Sequence, residues 1–556
     1  MRRLGITSIL FLLCVGVLGA QDPNDDLILE AMQDELDRSM AGLRLPDQPA
    51  PYYIAYTIHT TTRTSLTATL GALTAHTTSR RRSLHVEVRV GDYDFDSSHF
   101  ATAGRPTGVV NVTLDDDYLP LRRRIWMATD AAYKRAVDVY ARKKATFQNR
   151  VNTNPIPDFS RETPREHLAA VSALRPVGAS WRDTVRQISA IFGEMPEIHQ
   201  AQVSLSVTQG TRYFLNSEGF KTVAPIELAT LAVRAQTQAA DGMVLRDSFT
   251  MFGKTLNDLP SRAEATARAR ELAANLVELS DAPVGDDYYG PVMLEGQAAG
   301  QLLARSLVPL FLSQRPPDRD RAGRGGGRGG LGGGGSTSFL RRLGSRVLPE
   351  SLTVTDTPSL TSYGDDAVPG AYIVDEEGVL AQDVTLVQDG RVMTLLTTRA
   401  PQPNLPTSNG HARGGDAQAS VFQVTSTSAV PATELKAKYL ELLTEQNRPF
   451  GYIVRGVGGT RTVKVTPDGQ ESLVRGVELG RVAGGDFRDI LEVSEEQTLY
   501  TYRPAASAAS RLTGALRSSD VVVTVIAPNL LFDYLEVEQA RRIPQTRPIV
   551  PSPLRR

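Results

Sequence analysis

Apolar residues change their spacing several times along the chain, and each change marks an element. Over 26–42 (DLILEAMQDELDRSMAG) they recur at helical intervals behind acidic residues in the first turn. This predicts a helix ending before the proline-rich break at Pro46–Pro51. From Tyr52 to Phe100 the pattern turns to β. Three segments, YYIAYTIHTTT, SLTATLGALTAHTTS and RRSLHVEVRVGDYDF, are rich in Thr, Val and Tyr and partly alternate. A long helix follows from about Leu121 to Gln148, with an apolar stripe drawn through Trp126, Ala132, Tyr133 and Ala136 and basic residues opposite. NTNPIPDF reads as a linker, and residues 180–192 as another helix. The run from Ile198 onward predicts strands around a turn at Asn216-Ser217-Glu218-Gly219. Ser261 and Glu264 form a capping box ahead of an alanine-rich helix over 262–279.

At Gly290-Pro291 a short strand begins and leads into a helix of apolar periodicity. Residues 315–338 (RPPDRDRAGRGGGRGGLGGGGSTS) are of low complexity, and their composition predicts a flexible insertion. Beyond them the chain is strongly β. Asp389-Gly390 between DVTLVQ and RVMTLLTT is the best hairpin signal, and further strands are expected near 419–428, 451–466, 471–482, 497–502 and 520–525, with one helix at 431–446. The pattern as a whole predicts an α+β fold. A mixed α/β N-terminal domain (26–120) and middle domain (121–285) precede a β-rich sheet or barrel domain (286–545) that carries the insertion, and 546–556 forms a tail.

Composition adds a destination. Arg2 and Arg3 precede an apolar stretch, Ile6–Leu18, too short to span a bilayer comfortably, and the small residues Gly19 and Ala20 precede an acidic run. That order is the signature of a cleaved secretory signal over 1–20, which sends the protein to the periplasm or outside the cell. An uncleaved anchor is the other reading, because Leu18 is not an ideal residue three before the cut. Leu13 is too large for Cys14 to be a lipidation site. Cys14 is the only cysteine, so the mature chain must be held by core burial without disulfides, which 41% hydrophobic residues allow. No later apolar run approaches the ~20 residues of a transmembrane helix. The net charge of −1 gives no global attraction to nucleic acid or anionic membrane.

Local chemistry offers little. The seven histidines are His59, His76, His85, His99, His167, His199 and His411, and the closest pair, His76 and His85, lies in predicted strands. There is no HExxH, HExxxH, HxH or cysteine cluster, so a metal site would have to be assembled from distant histidines. No GxSxG elbow exists, and Ser217 and Ser408 read as turn serines. The acidic groups Asp92/Asp94/Asp96, Asp115-Asp116-Asp117 and Asp375-Glu376-Glu377 lack EF-hand spacing and read as solvated turns rather than a calcium site. The RGGGRGG run imitates an RNA-binding tail, but in an exported chain it reads as a surface-loop insertion.

Longer phrases carry a resemblance. SFLRRLGSRVLPESLTVTDTP (338–358), DEEGVLAQDVTLVQDGRVMTLLTTR (375–399) and NLPTSNGHARG (404–414) are similar, in this order, to the C-terminal part of TldD/PmbA metallopeptidase-family proteins. LNSEG (215–219) fits as well, and the closing VVVTVIAPNLLFDYLEVEQ resembles an exported, TldD-related subgroup. In the catalytic branch an HExxxH helix follows a strand with a GP-type start, and a late cysteine supplies another zinc ligand. Here GPVMLEGQAAGQLLARSLVPLF (290–311) stands in that place. The resemblance therefore puts Ala304 and Arg305 at the His-Glu positions and Pro309 at the second His, with no cysteine left to help. It implies a degenerate zinc site, no catalytic residue and no cofactor in this chain, zinc being expected only in a partner. That partner would be a TldD-like homologous subunit, with a homodimer as the alternative, and together they would act on peptides or unfolded proteins. The segments near 375–399 are where an extended peptide would be sought against a sheet edge. An active hydrolase with a relocated site and a stand-alone envelope protein are the rival expectations.

Overall fold

A computed structural model describes residues 26–101, 109–148, 156–171, 174–315, 318–319, 339–456, 461–505 and 521–540. The expected signal over 1–20, Cys14, most of the 315–338 insertion and the 546–556 tail lie outside the described residues.

Where three β segments were expected between Tyr52 and Phe100, two 19-residue strands, Pro51–Thr69 and Ala72–Val90, form one hairpin. The turn is Leu70-Gly71, both at positive φ, and it falls inside the second expected segment. Pro51–Thr69 also pairs with Gln200–Asn216, which pairs with Lys221–Gln238, so strands from both sides of residue 120 share one seven-stranded sheet. Alternation decides its faces. Ile54, Tyr56, Ile58, Leu66 and Ala68 point to one side. The first three pack with helices α1 (Leu27–Gly42) and α2 (Tyr118–Phe147), and the last two with α3 (Ala179–Ala190) and α4 (Arg262–Asp281). Tyr53 and Ala55 point the other way and meet Phe159, Phe214 and Phe220.

The stripe expected on α2 is corrected. Its buried line runs Leu121, Ile125, Thr129, Tyr133 and Val137, at intervals of four. Trp126 sits about 100° round the helix from Ile125. It is 46% exposed, with the Arg38 guanidinium 6.0 Å from its ring centre.

The C-terminal part is an open eleven-stranded sheet rather than a closed barrel. Its main path runs Arg391–Val392, Val384–Gln388, Leu352–Asp356, Val421–Ser426, Val523–Gln539, Tyr288–Leu294, Gly451–Val454, Thr462–Val465 and Glu471–Val474. Val477–Leu479 and Ile490–Tyr502 also pair with Val523–Gln539. The Asp389-Gly390 hairpin is present, with both residues at positive φ, but its second strand is only Arg391–Val392. That two-residue strand is the sheet edge, so the 375–399 segment offers too little edge to template an extended peptide. The helix expected at 431–446 is α6 (Ala432–Glu445).

Candidate functional site

Strand Tyr288–Leu294 lies in the middle of the C-terminal sheet, between Val523–Gln539 and Gly451–Val454. The chain leaves it through Glu295 and Gly296, whose N–H donates to Asn529 Oδ1 at 2.8 Å. The sequence predicts one apolar-periodic helix from here, but the structure breaks it into three short pieces. α5 (Gln297–Leu302) passes into a π-helical turn over Leu303–Leu307 and a 3₁₀ turn over Val308–Phe311. Pro309 supplies no N–H to continue an α-helical ladder, which accounts for the tight ending. Gly300 lets the segment lie on strand Ile490–Tyr502, because a Cβ there would come 2.6 Å from Tyr500 Cβ.

Ala304 is nearly buried in this segment, while Arg305 and Pro309 are exposed and border a cleft of about 770 Å³. A methyl group, a guanidinium and a pyrrolidine ring offer no zinc ligand near neutral pH. Among the described residues no group of three or more His, Cys, Asp and Glu could hold a metal ion. His76 and His85 stand an odd number of residues apart on one strand, so they face opposite sides. His59 is buried, and burial together with the nearby Arg212 lowers it to about 3, so it stays neutral.

The motifs that carry the family resemblance converge elsewhere, on a buried polar junction between the two sheets. Arg399 is fully buried. Its guanidinium grips the Glu218 carboxylate through both terminal nitrogens, donates to Ser160 O at 2.6 Å, and lies 3.9 Å from the Phe159 ring centre. Tyr93 donates to Glu218 at 2.6 Å, and the Arg89 guanidinium lies 3.7 Å from the same Phe159 ring. Arg399 N–H donates to Glu377 at 2.7 Å, while Asp375 accepts from the N–H groups of Glu377, Val379 and Ala412. LNSEG and DEEG are thus the two sides of one joint. The residues of the NTNPIPDF linker nearest it, Asp158 and Phe159, are buried within it.

Of the acidic groups, Asp92, Asp94, Asp115, Asp116 and Asp117 are exposed as the solvated turns expected, whereas Asp96 and Asp375 are buried and Glu377 is half-buried. Asp375 and Glu377 belong to the joint, Asp96 is buried and paired with Arg89 at 3.0 Å, Asp116 pairs with Arg82, and Asp117 caps α2. Asp96, Asp375 and Glu377 are drawn in by an arginine or by backbone donors, neither of which a local run displays. Burial and the Asp375 charge push the Glu377 carboxyl up to about 8, and burial raises Asp375 to about 6. A carboxyl raised in the folded state stabilises it fully below its unfolded pKa, and this is lost as pH rises through the folded value. Glu377→Gln keeps an acceptor for Arg399 N–H but removes that titration. The melting temperature of the variant is expected to match the parent near pH 5 and to exceed it by pH 8. A gap that does not change with pH would contradict this.

Ser420, Asp356 and His411 sit together, fully buried, but not as a nucleophilic triad. Ser420 donates both its N–H and its hydroxyl to Asp356, and His411 Nε2 meets the same Asp356 oxygen, Oδ1, at 3.2 Å. No imidazole is placed to take the Ser420 proton. Ser217 accepts from Ile54 N–H at 3.1 Å, and Ser408 Oγ accepts from Gly410 N–H, both as turn serines. A larger cleft of about 1150 Å³ opens between the sheets at the start of α5, bordered by Gln200, Gln202, Arg246, Gln297 and Arg455. Two ion pairs lie on it, Arg455 with Glu295 and Arg461 with Asp247, while Arg246 donates to Gln236 at 2.8 Å.

The layout, a helix-backed antiparallel sheet joined to an open β-rich half, is shared with solved proteins along nearly its whole length. A DNA gyrase modulator candidate from Thermotoga maritima is 13% identical with a TM-score of 0.57, over 91% of this chain and 99% of its own. TldE from Thermococcus kodakarensis gives 13% and 0.57, over 91% and 100%. A second gyrase modulator candidate, from Bacteroides thetaiotaomicron, gives 13% and 0.59, over 94% and 100%. No curated protein matches the chain. In sequence, residues 288–468 match the PmbA/TldA metallopeptidase C-terminal domain. This segment contains the broken helix with Ala304, Arg305 and Pro309.

Proposed function

We propose that this protein is a non-catalytic, TldE/PmbA-like subunit that pairs with an active TldD-like zinc metallopeptidase. The observation that carries the reading is the strand–helix segment at Tyr288–Phe311. It lies inside the matched family domain, where the resemblance puts the HExxxH helix, and it holds Ala304, Arg305 and Pro309 on a helix broken by a π turn. Each position lacks a ligand, so restoring one would not rebuild a site. The solved TldE of the same fold supports the assignment by analogy. Export through the 1–20 signal and action on peptides or unfolded proteins belong to the same proposal. No helix among the described residues is long and apolar enough to cross a membrane.

Partnership is tested by affinity purification of the tagged full-length protein from its native source. A TldD-like homologue that keeps HExxxH is expected to co-elute in equal amount, and peptide cleavage is expected to require both chains. If the protein elutes alone while such a homologue is present in the extract, the subunit reading fails.

A further inference from the structure

Many arginines of this protein are held by carboxylates. Arg38 pairs with Glu35, Arg455 with Glu295 and Glu471, Arg461 with Asp247 and Glu271, and Arg475 with Asp241. Others are not, and five arginines gather around one concavity. The cleft of about 770 Å³ beside the broken helix is lined by Arg305, Arg341, Arg342, Arg481 and Arg488, and no acidic residue lines it among the described residues. Arg488 donates to a backbone carbonyl, that of Arg346. The other four make no ion pair among the described residues. Around the rim, Asp486 accepts from Ala483 N–H at 2.8 Å and Glu350 pairs with Arg346, while Glu536, next to Gly480, is exposed but does not line the cleft. Beneath the arginines the floor is apolar, built from Leu302, Leu310, Phe339, Val347 and Leu479, each buried.

We infer that this cleft binds an acidic peptide segment, its carboxylates on the arginine rim and an apolar side chain on the floor. Several unneutralised guanidinium groups around one concavity focus a positive potential there. Guanidinium pairs with carboxylate through two parallel hydrogen bonds, a geometry that lysine does not offer. A purely electrostatic contact with nucleic acid or a lipid surface needs no apolar floor, whereas a peptide alternating acidic and apolar residues uses both features. Of the chain's own remaining segments, 21–25 is acidic but only five residues long and continuous with α1 of the other sheet, and the longer ones are wrong in charge. Residues 320–338 carry one aspartate against three arginines, and 541–556 carry five arginines and no acid. The occupant therefore comes from another molecule. The cleft has this character whether or not Ala304, Arg305 and Pro309 replace a zinc motif.

The test uses the full-length protein and a fluorescently labelled peptide alternating glutamate with leucine, followed by polarisation. Saturable binding that weakens with added salt is expected, with none to the glutamine counterpart of the peptide. Arg305→Glu combined with Arg481→Glu is expected to weaken it at least tenfold. Arg305→Gln with Arg481→Gln, which guards against misfolding of the charge reversal, is expected to fall between. Arg80→Glu with Arg81→Glu, on the exposed strand of the first hairpin, should leave binding unchanged. Equal binding by the cleft variants, equal loss in the hairpin variant, or equal binding of the glutamine peptide would each overturn the inference. So would tight, Arg305-dependent binding of inorganic polyphosphate or phosphatidylglycerol vesicles without binding of the peptide.

Discussion

Arg399→Ala is expected to destabilise the folded protein by about 3–5 kcal/mol, the cost of breaking a buried ion pair from one side. Arg399 has no exposed side-chain surface, and only 14% of the Glu218 side chain is exposed. The substitution strands that carboxylate, together with Ser160 O, and takes the guanidinium away from Phe159. Arg399→Met should cost nearly as much, since it fills space without neutralising Glu218. Pairing Arg399→Met with Glu218→Gln should recover a large part of the loss, because both charges are then gone. Urea titration followed by circular dichroism reads all three. A loss below about 1 kcal/mol for Arg399→Ala would mean that the joint is solvated and contributes as a surface pair does.

Asp356→Ala ranks second, at about 2–4 kcal/mol, because it leaves the buried Ser420 N–H, the Ser420 hydroxyl and the His411 imidazole without their shared acceptor. Asp356→Asn keeps one carbonyl oxygen in place and should cost less. Thermal midpoints of the two variants against the parent check the order, and an Asn variant as unstable as the Ala variant would contradict it.

Both residues lie in phrases whose family likeness is visible in the sequence, yet their roles are not. TVTDTP, DEEG, LNSEG and SNGHARG look like candidates for chemistry because they are polar and rich in glycine. The fold uses LNSEG and DEEG as the fastening between two sheets, and TVTDTP and SNGHARG to build the buried Asp356–His411–Ser420 cluster within the C-terminal half. What was legible is what period and turn chemistry fix locally: α1, the positive-φ Asp389-Gly390 hairpin, the Asn216–Gly219 turn, and Ser261 accepting from Glu264 N–H at the start of α4. Misreadings arose where one residue of phase decides, as between Ile125 and Trp126, or where a turn needs no Asn or Asp, as at Leu70-Gly71. Arg399 gave no signal at all. An isolated arginine in a β segment reads as surface, and partners far away in sequence, Glu218, Ser160 and Phe159, keep it inside. The broken helix was half legible, since Pro309 announced an ending but nothing announced the π turn before it.

The site follows the same logic. Its resemblance rests on order of motifs, whereas its chemistry rests on what Ala304, Arg305 and Pro309 lack and on the arginines gathered around them. Metal content is the most direct measure of that. The full-length protein, incubated with zinc and then freed of loosely bound metal, is analysed by mass spectrometry and assayed for peptide cleavage with and without a chelator. Far less than one zinc per chain is expected, with no chelator-sensitive cleavage by the protein alone. One tightly held zinc per chain, with cleavage abolished by the chelator, would contradict the non-catalytic reading outright.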